Sequence, residues 1–148
     1  MKYPHTPADV IRLASEGRLE EWIHRFLETD GNNLPMSDGL RLQRRYWIGP
    51  VVLPLARIQR CCGPEPTMEY VVDKDGWEQR VHGMIEGLRR GWAPPPFIAQ
   101  FYEDGTFSLR DGNHRHEALR RAGREGYWCV IWCDSEALRQ EAVRLLTP

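Results

Sequence analysis

The chain has 148 residues, of which 41% are hydrophobic and 28% charged, with a formal net charge of −1. That is the composition of one globular unit, long enough to bury a core without disulfide or metal staples. It excludes a protein whose main task is to coat nucleic acid, which requires a basic face, and no stretch approaches the ~20 apolar residues of a membrane span.

Thr6-Pro7-Ala8-Asp9 reads as a helix start, with Thr6 as cap, Pro7 in the first turn and Asp9 reaching back. Gly17 stops that helix. Leu19, Trp22, Ile23, Phe26 and Leu27 recur at helical spacing, so a second amphipathic helix is predicted from about Arg18 to Glu28. Asp30 to Gly39, rich in Gly, Asn, Pro and Asp, reads as a loop, and Ser37 as the cap of a short helix through Arg41, Arg44 and Arg45. Residues 1–49 are therefore expected to be an N-terminal helical extension, and residues 50–148 the main domain.

Val51 to Ile58 is apolar and β-branched, a strand that Pro54 assigns to a sheet edge. Pro64 and Pro66 break the chain after it. From Asp73 a long helix carries Trp77, Val81, Met84, Ile85 and Leu88 on one stripe. Gly83 and Gly87 on its flank cost helix stability and suit close packing. After the stiff Trp92-Ala93-Pro94-Pro95-Pro96 connector comes a strand from Phe97 to Tyr102, a hairpin at Glu103-Asp104-Gly105-Thr106, and a partner strand from Phe107 to Arg110. A helix from about Gly112 to Ala122 follows. Tyr127 to Cys133 is nearly all apolar and reads as a central strand. Asp134 and Ser135 cap a last helix with Leu138, Ala142 and Leu145 on one face.

Cys61, Cys62, Cys129 and Cys133 form no Cys-x-x-Cys pair. Cys129 and Cys133 share a strand face ~13 Å apart, too far for a disulfide or a shared zinc ion. They read as small buried residues in a reducing compartment. The chain opens without a basic-then-apolar leader pattern, which adds to the expectation of a cytoplasmic protein.

The segment that points to chemistry is Arg110-Asp111-Gly112-Asn113-His114-Arg115, where a strand ends, a glycine turns the chain and a helix begins. Helix N-termini present free N–H groups and partial positive charge and so attract anions. His114 and Arg115 add a switchable donor and a forked cation, and Gly112 permits close backbone approach. Phosphate is the natural guest. Asp111 has the wrong sign for phosphate and would hold a magnesium ion or orient His114. The same residues also admit a bland assignment: Asp111 or Asn113 as a helix cap, and His114 and Arg115 facing solvent beside Glu117. Against it, Arg115 shares the buried stripe of Ala118, Leu119 and Ala122, where an unpaired charge is costly. His116 points away from His114 and is expected on the surface. Trp92 either lines a base or substrate pocket or packs. Arg44 and Arg45 are candidates to reach the corner from the extension.

The order of these elements, with Asp-Gly-x-His-Arg between a strand and a helix, resembles the ParB/sulfiredoxin superfamily. The resemblance runs from Val51 to Cys133: Val52-Leu53-Pro54-Leu55-Ala56-Arg57-Ile58 is similar to its first strand, Trp77 to Gly91 to the next helix, Pro95-Pro96-Phe97-Ile98 to the proline-then-strand step, and Phe101 to Phe107 to its hairpin. It implies an α/β (α+β) fold, a small mixed sheet with flanking helices, here with the N-terminal extension added. Sulfiredoxins place a catalytic cysteine where this chain has Asn113, so sulfiredoxin activity is not expected. ParB proteins continue into a DNA-binding region, for which Ser135 to Pro148 leaves little room. The resemblance to the superfamily's free-serine kinases implies a magnesium-dependent phosphotransferase acting on a small hydroxyl compound. A nucleoside di- or triphosphate (ATP, ADP or CTP) would be held by Arg110, Gly112, Asn113, His114 and Arg115. Asp111 would engage magnesium, and Glu65, or else Glu69, would act as base. The alternative is a non-catalytic ParB-like module for nucleotide or nucleic acid, or a ParB-like nuclease; the setting is bacterial or phage.

Overall fold

The computed structural model describes residues 5–147. Helix α1 (Pro7–Ser15) starts at the expected capping box, in which the Thr6 hydroxyl accepts from the Asp9 N–H and Asp9 from the Thr6 N–H. Helix α2 (Leu19–Glu28) buries Trp22, Ile23, Phe26 and Leu27 along one stripe. Part of the expected loop is helical: α3 (Leu34–Leu40) is capped by Asn33, with a proline in its first turn. Pro35 looked like a breaker but sits where its missing N–H costs nothing. Ser37 lies inside that helix rather than capping one, hydrogen-bonded to the His24 ring at 2.7 Å.

The expected strand 51–58 is two strands at opposite edges of one sheet. Strand β1 (Tyr46–Pro54) begins five residues earlier, running through residues 49 and 50, and ends at Pro54. A 3-10 turn (Leu55–Arg57) then redirects the chain into β2 (Ile58–Arg60). Cys62–Gly63 (β3) and Tyr70–Val71 (β4) form a small parallel ribbon. Helix α4 (Lys74–Arg89) is capped by Asp73, β5 (Phe97–Phe101) and β6 (Phe107–Asp111) form the hairpin, and α5 (Asn113–Arg121), β7 (Gly126–Cys133) and α6 (Glu136–Leu146) complete the chain. The sheet order is β1-β7-β5-β6-β2, mixed in direction, with β1 at an edge and β7 inside, as Pro54 and the apolar run imply.

Strand alternation divides the interior into two cores. Phe97, Ala99, Phe101, Leu109, Cys129, Ile131 and Cys133 face one side with Trp77, Val81, Leu88, Ala118, Leu119 and Ala142. Ile98, Val130 and Trp132 face the other, covered by Val10, Leu13, Trp22, Ile23, Phe26, Leu27 and Leu40. The N-terminal helices are thus the second layer of the sheet. In α6 the inward stripe is Leu138, Ala142 and Leu146, while Leu145 is 45% exposed, because the helix keeps i, i+4, i+8 rather than i+7 toward the sheet. No helix among the described residues is long and apolar enough to cross a membrane.

Candidate functional site: an anion corner at the start of α5

Strand β6 ends at Asp111, and Gly112, at φ +110°, reverses the chain into α5. A Cβ at Gly112 would lie 2.8 Å from both an Arg115 guanidinium nitrogen and the Phe97 ring, so glycine is required by conformation and by space. The first intrahelical bond runs from the His116 N–H to the Gly112 carbonyl at 2.8 Å. The N–H groups of Asn113, His114 and Arg115 are the unpaired donors of this helix end. Asn113 and His114 line a cleft of about 600 Å³ that is also walled by Gly31, Asn33, Pro35 and Met36, from the turn before α3 and its first residues. A second lobe of about 260 Å³ adjoins it and shares Gly31, Arg80 and residues 111–114.

Arg115 is 9% exposed. One terminal nitrogen donates to the Pro96 carbonyl at 3.2 Å and to the Asp111 carboxylate at 3.3 Å, and the guanidinium lies 5.5 Å above the Phe26 ring of α2. Its Nε–H is buried without a partner at the wall of the second lobe. Asp111 is therefore a counter-ion of Arg115 rather than an isolated carboxylate. Among the described residues no group of three or more His, Cys, Asp and Glu side chains gathers as a metal site would require. The corner's donors thus suit an anion, while a cation would find Asp111, already paired with Arg115, and Asp30 at the second lobe.

The Asn113 amide is consumed within the protein. Its oxygen accepts from the N–H groups of Cys61 (2.9 Å) and Cys62 (3.2 Å), and its nitrogen donates to the Leu109 carbonyl (3.3 Å). This pins the β2–β3 junction to the corner and leaves the backbone N–H of Asn113 for a ligand. Arg110 spans to Glu69 through two 3.1 Å bonds and donates to the Tyr102 hydroxyl at 2.9 Å. Glu65, the expected base, does not line the cleft. It pairs with Arg60, whose guanidinium also stacks on Trp77. Burial pushes the Glu65 carboxyl up, but the Arg60 hydrogen bond and charge outweigh it and hold it below the usual range.

His114 stacks on Trp77 with centroids 4.3 Å apart. Burial, then the charges of Arg80, Arg115 and Arg60, pull its pKa down to about 4. The ring is therefore neutral at pH 7. His116 is not on the surface: it is 7% exposed, and its Nε2 lies 2.9 Å from the Leu55 carbonyl. Burial lowers its pKa too. The helix turns this residue beneath the 3-10 turn, which sequence spacing does not reveal. Both rings bind fewer protons folded than unfolded, so their contribution to stability is complete above about pH 6.5 and is lost as pH falls, for His114 through about 4. Urea unfolding at pH 7.5 and pH 5 is expected to show this loss, reduced in His114→Gln; equal stability at both pH values would contradict it.

Arg80, on the exposed face of α4, lines both lobes and has no hydrogen bond or ion pair among the described residues. Nothing in the sequence marked it: it is one arginine among many on a helix surface. Arg44 and Arg45 do not reach the corner. Arg45 binds Asp134 and the Gly39 and Leu40 carbonyls, and Arg44 lies over Tyr46. Cys61 and Cys62 border the cleft, but burial raises both thiols' pKa, so neither is a ready thiolate.

No known protein-family profile and no curated protein sequence matches the chain. Several solved structures are similar to it, three of which follow. One is sulfiredoxin from Arabidopsis thaliana (TM-score 0.45, 23% identity, covering 64% of this chain and 96% of that one). Another is a Pnob8-like ParB-N domain (TM-score 0.40, 16% identity, 70% of this chain and 36% of that one). The third is the C-terminally truncated chromosome-partitioning protein ParB from Caulobacter crescentus complexed with CTP-gamma-S (TM-score 0.39, 19% identity, 68% of this chain and 53% of that one). The chain thus spans about a third to a half of the two ParB chains. The chain's own fold is a mixed α/β one, a five-stranded sheet of mixed strand direction flanked by helices.

Proposed function

We infer that the chain is a nucleotide-binding module that anchors phosphate at the start of α5. The observation that carries this reading is that the start of α5, whose first-turn N–H groups have no helical partner, lines the cleft together with the exposed, unpartnered guanidinium of Arg80, with Arg115 bordering the smaller lobe. Helix dipole, backbone donors and cations all favour an anion there. The cleft volume lies in the range that small ligands occupy. Neutral His114 serves as a hydrogen-bond donor or acceptor to the ligand, and an arriving phosphate would raise its pKa.

The finer reading, a magnesium-dependent phosphotransferase, assigns Asp111 to the metal and Glu65 or Glu69 to proton abstraction. Each of these carboxylates is held by an arginine, Arg115, Arg60 and Arg110 respectively. Turnover would require the ligand to draw Asp111 and one glutamate away from their partners. A binding module requires no such rearrangement and is the simpler reading.

The test is a thermal-shift and calorimetric series with ATP, ADP, CTP, GTP and inorganic triphosphate, each with and without magnesium. A ligand at 100 times its Kd stabilises the fold by about 2.7 kcal/mol. Arg80→Ala is expected to weaken that ligand roughly tenfold, ~1.4 kcal/mol, while the ligand-free melting temperature stays put, because Arg80 is exposed and unpaired. If no phosphate ligand shifts the melting point, the anchor reading is lost.

A further inference from the structure

The anion corner lies where two lobes meet, and the lobes differ in chemistry. The larger one is walled by mixed groups, among them Asn33, Cys62, Tyr70 and Arg110. The smaller is walled by Phe26, Met84, Trp92 and Pro95 together with Asp30, and it alone is bordered by Arg115. At about 260 Å³ it is below the usual size for a whole small ligand, so it suits one flat portion of one. An anion that engages Arg115 places whatever it carries beside these walls.

Trp92 is the distinctive wall. It is 38% exposed, a large apolar ring left open to water, yet its position is determined. Its N–H donates to the Gly87 carbonyl at 2.9 Å, after Gly91 takes φ +91°. The ring packs so closely on α4 that a Cβ at Gly87 would lie 3.2 Å from its Cε3. Gly87 therefore accommodates this indole, while a Cβ at Gly83 would meet nothing within 4 Å. The prolines from Pro94 to Pro96 stiffen the segment that follows. An exposed aromatic ring held against a glycine is a preorganised stacking surface, which binds without first being ordered.

We propose that the smaller lobe seats the base of the nucleotide whose phosphate the corner anchors, with Trp92 as the stacking wall and Met84 and Phe26 enclosing it. This rests on the phosphate-anchoring reading and extends it to the organic half of the ligand. Phe26 belongs to α2, so the N-terminal helices supply part of the seat, and through Arg115 the same ring touches the anchor. Stacking of a base on an aromatic face tolerates different bases, so the seat selects nucleotides over bare phosphates more than it selects among nucleotides.

Calorimetry on the full chain with inorganic triphosphate, ATP and CTP separates the two halves. The wild type is expected to bind at least one nucleoside triphosphate more tightly than inorganic triphosphate. Trp92→Ala should lose about tenfold in nucleotide affinity, ~1.4 kcal/mol, and leave inorganic triphosphate unchanged; Trp92→Phe should keep most of the nucleotide affinity. Equal wild-type affinities for nucleotide and triphosphate overturn the ring seat even if Trp92→Ala does not fold. So does an equal loss for both ligands in a folded Trp92→Ala, or no loss for either. Failure of the wild type to bind triphosphate at all refutes the anchor instead, and with it the proposal that rests on it.

Discussion

Arg115→Ala is expected to destabilise the fold by about 3 kcal/mol or more and to abolish measurable binding of phosphate ligands. The guanidinium links three elements: the Asp111 carboxylate at the end of β6, the Pro96 carbonyl ahead of β5, and the Phe26 ring of α2. The side chains of the pair are only 10% and 12% exposed. Removing the cation leaves a shielded carboxylate without a partner, which costs more than the pair itself contributed. Asp111→Ala is expected to cost less, because Arg115 keeps Pro96 and Phe26. In the double variant part of the loss is regained, since no charge is stranded. Urea unfolding of the four proteins measures this. An Arg115→Ala protein within about 0.5 kcal/mol of wild type, the range of a bland surface change, would show that the pair does not hold the corner together. Arg115→Lys keeps the charge but not the planar fork, and should recover stability only in part.

The second large effect concerns Asn113. Asn113→Ala is expected to cost about 2–4 kcal/mol, because the N–H groups of buried Cys61 and partly buried Cys62 lose their common acceptor. The loss should be visible locally: hydrogen exchange at the Cys61 and Cys62 amides accelerates beyond the change in global stability. Asn113→Asp behaves differently. The carboxylate still accepts from both N–H groups and sits favourably at a helix N-terminus, so the fold largely survives. It gives up the bond to the Leu109 carbonyl and adds a negative charge beside the cleft. Inorganic triphosphate affinity should fall more than tenfold in Asn113→Asp even though the protein remains folded. An Asn113→Asp protein that binds triphosphate like wild type would mean the ligand is not at this helix end.

The capping box at Thr6, the Trp77–Leu88 stripe, the Asp104-Gly105 turn and the strand–glycine–helix step at residues 110–115 could all be read from sequence, and the structure has each of them. They are settled by interactions among residues a few positions apart, in which spacing is geometry. The apolar run at 127–133 likewise announced an inner strand, because burial on both faces leaves no polar alternation.

Where a charged or polar side chain finds its partner was a different matter. Glu65 turned to Arg60, Asp111 to Arg115 and Arg45 to Asp134, and His116 went inward beneath Leu55. Spacing announces a helical face, not what will be packed against it. The break at Pro54, which sends β1 and β2 to opposite edges, also depended on which strands lay free to pair. So did the second role of α1–α3, which cover the sheet's other face and lend Gly31, Met36 and Phe26 to the cleft. The sequence by itself determined most of the helices, the 97–110 hairpin and the strand–glycine–helix step at residues 110–115, because these follow from local backbone and side-chain preferences. Only the tertiary structure decided which charges remain unpaired there, leaving the Arg80 guanidinium exposed while pairing the carboxylates of Asp111, Glu65 and Glu69, because pairing depends on how the folded chain brings these groups together.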